Sequence, residues 1–253
     1  MGRGRHALLL LLSLSSFAAA QECQRVTSIP ADLGAGNHCL AFDFGVGGTT
    51  AIRLRDGARL DCRGHRIRAL STGYDRAIYG VGNDIAVRNC RVSDFGAGII
   101  ISGDRALIER NRVERAGVAI QITGSNGLVA RNVVTDYRPG YSAYGISVDG
   151  SVDVLGNAIV ARNTPEQGRY GIRMSGLTKG VVARNTVIDV GGPTGIQSIA
   201  ISTLYGGPAI IRDNVATASP GSGDIPIFCY MVDGTVSVDN LWVGFPHRVG
   251  SCD

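Results

Sequence analysis

The sequence predicts an all-β fold, a single-stranded parallel solenoid of about eight coils, and three observations predict it. A short motif built on asparagine recurs, a second motif alternates apolar and polar residues with period two, and helical periodicity is nearly absent.

The first motif reads "LIERNRV", "LVARNVV", "VDVLGNAI", "VVARNTV" and "IIRDNVA", with Asn111, Asn132, Asn157, Asn185 and Asn214 at its centre. Each asparagine has an apolar residue three before it (Ile108, Val129, Val154, Val182, Ile211) and another two after it (Val113, Val134, Ile159, Val187, Ala216). The frame extends outward with His65, Cys90 and Leu241 in the asparagine slot, and successive slots lie 25, 21, 21, 25, 28, 29 and 27 residues apart. An asparagine at a sharp turn tolerates left-handed backbone angles, and its amide can bond the equivalent amide one coil above and below. It is therefore expected to form an internal ladder rather than to do chemistry.

The second motif is "GIIISG", "AIQITG", "GISVDG", "GIRMSG", "SIAIST" and "CYMVDG". Each reads as a strand with one face in the core. With Gly-rich turns between, each coil bonds to the next at about 4.8 Å.

These motifs resemble those of the right-handed parallel β-helix proteins of the pectate-lyase-like superfamily (pectin lyase fold), whose repeats read Gly-Ile-x-Val-x-Gly and Val-x-x-x-Asn-x-Val. The stretches "IPADLGAGNHCLAFDF" and "LDCRGHRI" also resemble the cap and first coil of exported bacterial members, and the likeness spans residues 25 to 243. The resemblance implies a right-handed helix. It does not select a function, because such folds host lyases, hydrolases, epimerases and inert scaffolds.

The basic start "RGRH", the apolar run "ALLLLLSLSSF" and the small residues "AAA" have the layout of a secretory signal, residues 1–20. An N-terminal cap is expected over 21–50, the β-helix over 51–243 and a C-terminal tail or cap over 244–253, because an open solenoid exposes strand edges. No second long apolar run follows the signal, so no membrane insertion is expected once it is removed. Loss of Arg3 and Arg5 lowers the formal charge from +4 to +2. That balance does not point to nucleic acid. Export to the periplasm or the medium makes the six cysteines disulfide candidates, and chain proximity pairs Cys23 with Cys39, Cys62 with Cys90, and Cys229 with Cys252.

The connection from the ladder motif to the next alternating strand lengthens along the chain. Val92 to Ile99 and Val113 to Ile120 are seven steps each, whereas Val134 to Ile146, Ile159 to Ile172, Val187 to Ile199 and Ala216 to Tyr230 are 12, 13, 12 and 14. Insertions on one edge of a repeat protein mark its binding face. The loops "DYRPGYSAY" and "ARNTPEQGRY" lead into strands whose outward positions, by alternation, are Gly145, Ser147 and Asp149, then Gly171, Arg173 and Ser175. Adjacent coils then set Ser147 beside Arg173 and Asp149 beside Ser175. Tyr144 and Tyr170 occupy equivalent slots and are expected to stack. Arg110, Arg131 and Arg184 recur just before the ladder and read as a solvated face.

Candidate catalytic residues are Tyr141, Arg173 and Asp149, and candidate substrate-binding residues are Tyr137, Arg138, Arg169, Glu166 and Ser147; the alternative is that Tyr137 and Tyr141 pack down their own loop and that Arg173 is a solvated residue or pairs with Asp149. A metal-independent uronate lyase needs a cation for the carboxylate and a base for the adjacent proton, which Arg173 or Arg169 and Tyr141 or Tyr137 would supply. A calcium site is not expected. The outward column Ser102, Thr123, Asp149, Ser175, Ser202 and Asp233 has its two acids three coils apart, about 14 Å. The same gap is too wide for an inverting glycosidase. No histidine pair has metal spacing, so neither a metal nor another cofactor is called for. The expectation is an exported β-helix that acts on or binds a polysaccharide, an acidic one included. The alternative is a non-catalytic glycan-binding or adhesion scaffold.

Overall fold

The computed structural model describes residues 22–71, 75–137, 143–161, 169–176, 179–188, 198–205, 207–218, 225–230 and 234–245. All regular elements among them are short strands, stacked in parallel into three sheets of nine, ten and nine strands. One coil shows the path: Val118–Thr123 lies in sheet 1, Gly127–Ala130 in sheet 2 and Val133–Thr135 in sheet 3, and Ala143–Asp149 returns to sheet 1 one coil further on. The chain is a parallel β-solenoid. Residues expected to form an N-terminal cap already carry strands of all three sheets, at Gln24–Val26, Ala31–Leu33, Gly36–Leu40 and Phe44–Val46. The whole of the expected signal, residues 1–20, and the tail from residue 246 lie outside the described residues.

Three inward rows fill the interior. The row Ile99, Ile120, Ile146, Ile172, Ile201 and Ile227 comes from sheet 1, Ile108, Val129, Val154, Val182 and Ile211 from sheet 2, and Val113, Val134, Ile159, Val187 and Ala216 from sheet 3. All but Ile227 are fully buried. Each such aliphatic side chain contributes about 1.5–3 kcal/mol of transfer free energy.

The ladder is continuous and one member longer than the motif suggested. Asn132 Oδ1 accepts from the backbone N–H of Asn111 at 2.9 Å and from Asn111 Nδ2 at 3.0 Å, while Asn132 Nδ2 donates to Ile108 O and to Asn157 Oδ1. The pattern repeats through Asn157, Asn185 and Asn214 and ends on Asn240. Leu241, expected in that slot, is instead the next residue, pairing with Val215 in sheet 3. The error came from matching apolar residues, since "VDNLWV" keeps its asparagine one place earlier. At the other end Cys90 donates its backbone N–H to Asn111 Oδ1.

The left-handed backbone also falls one place earlier than expected. Arg110, Arg131 and Arg184 have φ of 56° and Asp213 and Asp239 of 56° and 53°, each immediately before a ladder asparagine. A non-glycine residue there costs about 1–2 kcal/mol. The asparagine that follows offsets this with four hydrogen bonds, and its own φ is not left-handed. Arg110 and Arg131 are solvated and share Glu109.

A second ladder, not foreseen, runs along the turn between sheets 1 and 2. The backbone N–H groups of Asn83, Asp104 and Ser125 donate to Asp56 Oδ1, Asn83 Oδ1 and Asp104 Oδ1 in turn, at 2.5, 2.8 and 2.8 Å. A glycine column sits beside it. Gly103 has φ of 147°, and a Cβ there would fall 1.9 Å from Gly82 O. Only glycine fits so close to the coil beneath.

Cys23–Cys39 and Cys62–Cys90 form as chain proximity suggested. Cys229 is also disulfide-bonded; its expected partner, Cys252, lies outside the described residues. The Cys62–Cys90 bridge lies inside the coils, both cysteines at most 1% exposed, and joins sheet 2 to the ladder slot where no asparagine is present. Ion pairs reinforce the early coils. Arg115 holds Asp94 through two bonds, at 2.6 and 2.9 Å, with Arg68 at 3.2 Å. The Arg115 bonds draw the Asp94 carboxyl down to about 2 from its usual 3.8, against the opposing effect of burial.

Candidate functional site

The outer face of sheet 1 in the later coils is where the sequence placed the site. Ser147 pairs with Arg173, Asp149 with Ser175, and Tyr144 with Tyr170. The two tyrosine rings meet at 5.2 Å between centroids, tilted by 38°. The Arg173 guanidinium lies over the Tyr144 ring at 5.0 Å, a cation–π contact. The contact holds a long, rotamer-rich side chain in one place while its N–H edge stays available. Arg173 makes no ion pair among the described residues.

Three placements differ from the expectation. Gly145 and Gly171 do not face outward: a Cβ on Gly145 would lie 2.7 Å from Ile159 Cγ2, inside the coil, and one on Gly171 would lie 2.5 Å from Val187 Cγ1. The chain bends there as it enters sheet 1, so strict alternation begins only at the following isoleucine. Small residues recur at this bend, Ala77, Gly98, Ala119, Gly145, Gly171 and Ala200, each just before an inward isoleucine. Tyr137 is 1% exposed, a core residue where its loop leaves sheet 3, which fits the alternative of a tyrosine packed down its own loop rather than an open wall. Its ring is large and apolar enough that burial outweighs exposure at the mouth of the loop.

The third difference concerns Ser202. It pairs with Arg173, and Ser175 pairs with Leu204, so the outward column is Ser102, Thr123, Asp149, Ser175, Leu204 and Tyr230. Alternation alone sets "SIAIST" two residues out of register, with Ile199 rather than Ile201 as the core isoleucine. The bend signature would have found it: "AIST" has its alanine where "GISV" and "GIRM" have glycine. Asp149 is then the single acid of the described column, and Asp233 lies outside the described residues. No cluster of three metal-ligating side chains occurs among the described residues.

With the register settled, Arg173 stands between two serines on the same row. Ser147 is 6% and Ser202 0% exposed, although both point away from the core. The Ser202 Oγ has no hydrogen-bond partner among the described residues. A buried, unpartnered hydroxyl costs about 1–3 kcal/mol. Asp149 is exposed and Ser175 half-buried, one row further along the strands. Of the remaining candidates, Tyr141, Arg138 and Glu166 lie outside the described residues, and Arg169 is placed only as the first residue of the strand Arg169–Ser175, in register with Ala143.

The class that fold and site define is a parallel β-solenoid with a cation, two aromatic rings and buried hydroxyls gathered on one sheet face. Residues 76–227 match the family described as right handed beta helix region, well over half of the chain, and the protein belongs to that family. No curated protein and no solved structure matches the chain.

Proposed function

We propose that the protein is exported and binds an acidic polysaccharide on the outer face of sheet 1, with Arg173 pairing with a carboxylate. The carrying observation is the Arg173 guanidinium set on Tyr144 without an acidic partner among the described residues, between the buried serines Ser147 and Ser202. A guanidinium presents paired N–H donors that match a carboxylate. Tyr144 and Tyr170, both half-buried, offer apolar ring edges to a sugar. The disulfides fit an oxidising compartment outside the cytosol.

Titration calorimetry with oligogalacturonate and oligoalginate tests the reading. Arg173→Ala should weaken binding about tenfold or more and Ser202→Ala less, while Arg173→Lys restores part of it. Equal affinity of wild type and Arg173→Ala would sink the proposal. The same incubations, followed for unsaturated sugar product, decide between binding and lyase turnover, in which Arg173 would stabilise the developing enolate.

A further inference from the structure

The outer face of sheet 3 carries a row of charge that the site on sheet 1 does not use. Arg66, Arg91 and Arg112 are register partners on three consecutive coils, and all three are exposed. Strand spacing sets their backbones about 4.8 Å apart, and like charges directly opposite one another destabilise a sheet. Elsewhere on the early coils such charges are answered across the coils by acids: Arg55 by Asp32, Arg105 by Asp84, Arg115 by Asp94.

Here the answering acids are few and already engaged. Glu114 bonds Arg112 and also reaches Arg115. Asp94 is held by Arg115 and Arg68. Asp43, at the head of the row, accepts from the backbone N–H of Arg66 and faces the His65 ring. Neither Arg66 nor Arg91 has an ion-pair partner among the described residues. With Ser93 and Glu114, the three arginines line a hollow of about 280 Å³. Val133 follows Arg112 in the row, so the charge ends there.

We propose that this row is a second anion site, taking a short linear oligosaccharide that carries an acid group on successive sugars, one acid per coil. Arg66 and Arg91 can each bind a carboxylate or a sulfate through two parallel N–H bonds, and Arg112, bonded to Glu114 through Nε, offers its remaining N–H groups. A sugar ring spans a length comparable to the strand spacing, so charge repeats in step with the coils. An oligosaccharide is favoured over nucleic acid because, among the described residues, no aromatic side chain lines the hollow to stack a base. The ligand relieves a repulsion that the free protein carries.

The test is titration calorimetry at low salt in an Arg173→Ala background, which isolates this row from sheet 1. The probes are a galacturonate trisaccharide, a sulfated heparin-type oligosaccharide and a single-stranded oligonucleotide. The expected result is that one of the saccharides binds, that adding Arg91→Gln weakens it about tenfold, and that the melting temperature is unchanged or raised by Arg91→Gln. Absence of saccharide binding in the Arg173→Ala background, an unchanged affinity in the double variant, or a lowered melting temperature overturns the row as a site. Tighter binding of the oligonucleotide than of either saccharide overturns it as a glycan site. Failure of the sheet 1 reading looks different: Arg173→Ala alone would then bind like wild type while the Arg91→Gln effect remained.

Discussion

Sheet 3 is bounded by two turns that obey opposite rules. From residues 89–90 onward the turn before it is two residues long, a left-handed residue and then a ladder member, whereas the first two coils, which have no asparagine there, use three residues (41–43) and four (62–65). The connection after it is short in the early coils and long in the later ones, where the described residues resume only at strands such as Ala143–Asp149 and Arg169–Ser175. The first turn is locked because each asparagine bonds both neighbours, so a change in its length would break four hydrogen bonds at once. The second has no such stack and can lengthen at little cost, because loop closure grows only slowly with length. The ordered ladder thus fixes the register, and the variable edge leads into the sheet 1 strands that carry Tyr144 and Arg173.

The contrast can be broken most severely at the locked turn. Asn157→Ala removes the acceptor for the Asn132 N–H and Nδ2 and the donor to Val129 O and Asn185 Oδ1. Urea denaturation should show a loss of about 4 kcal/mol. Asn240→Ala, at the half-buried end of the ladder, should cost less than half as much; equal losses would mean that the ladder does not act as a chain. Gly103→Ala attacks the glycine column of the other tight turn, and its Cβ clash and left-handed φ should destabilise by about 3 kcal/mol in the same assay.

Smaller still is the effect of the Arg115–Asp94 pair. The folded carboxyl titrates at about 2 and the unfolded one near 3.8, so its stabilisation is fully present above about pH 4 and is lost as pH falls towards 2. Asp94→Asn should therefore cost about 2 kcal/mol at neutral pH, with the gap to wild type closing near pH 2. A gap that persists at pH 2 would point to packing rather than charge. At the variable edge, Arg173→Ala should leave the denaturation midpoint almost unmoved, within about 0.5 kcal/mol, while it weakens glycan binding.

Much of the locked part was legible in the chain. Five ladder asparagines, the apolar residues three before and two after them, and two disulfides could be placed by spacing alone, because an inward side chain every coil must be repeated for the stack to close. The slips came where one apolar residue resembles another. Matching on apolar residues alone puts Leu241 in Asn240's slot and Ile199 in Ile201's, which sets Ser202 in the wrong column and hides its place beside Arg173. Gly145 and Gly171 were read as outward because alternation says nothing about a bend in the backbone. The acid-and-amide ladder through Asp56, Asn83 and Asp104 escaped notice because its members differ in type and share only an oxygen at the right height.

Sequence alone determined the architecture: periodic inward residues can be buried together only if equivalent positions pile up, and hydrogen-bonded strands supply that pile at one spacing. The tertiary structure decided which side chains meet across coils. Whether Arg173 rests on Tyr144, or Arg66, Arg91 and Arg112 stand in one row in which only Arg112 has an acidic partner, depends on register and on the direction of each Cα–Cβ bond. Both are set by bends and pairings between residues twenty or more positions apart, and no local pattern contains them.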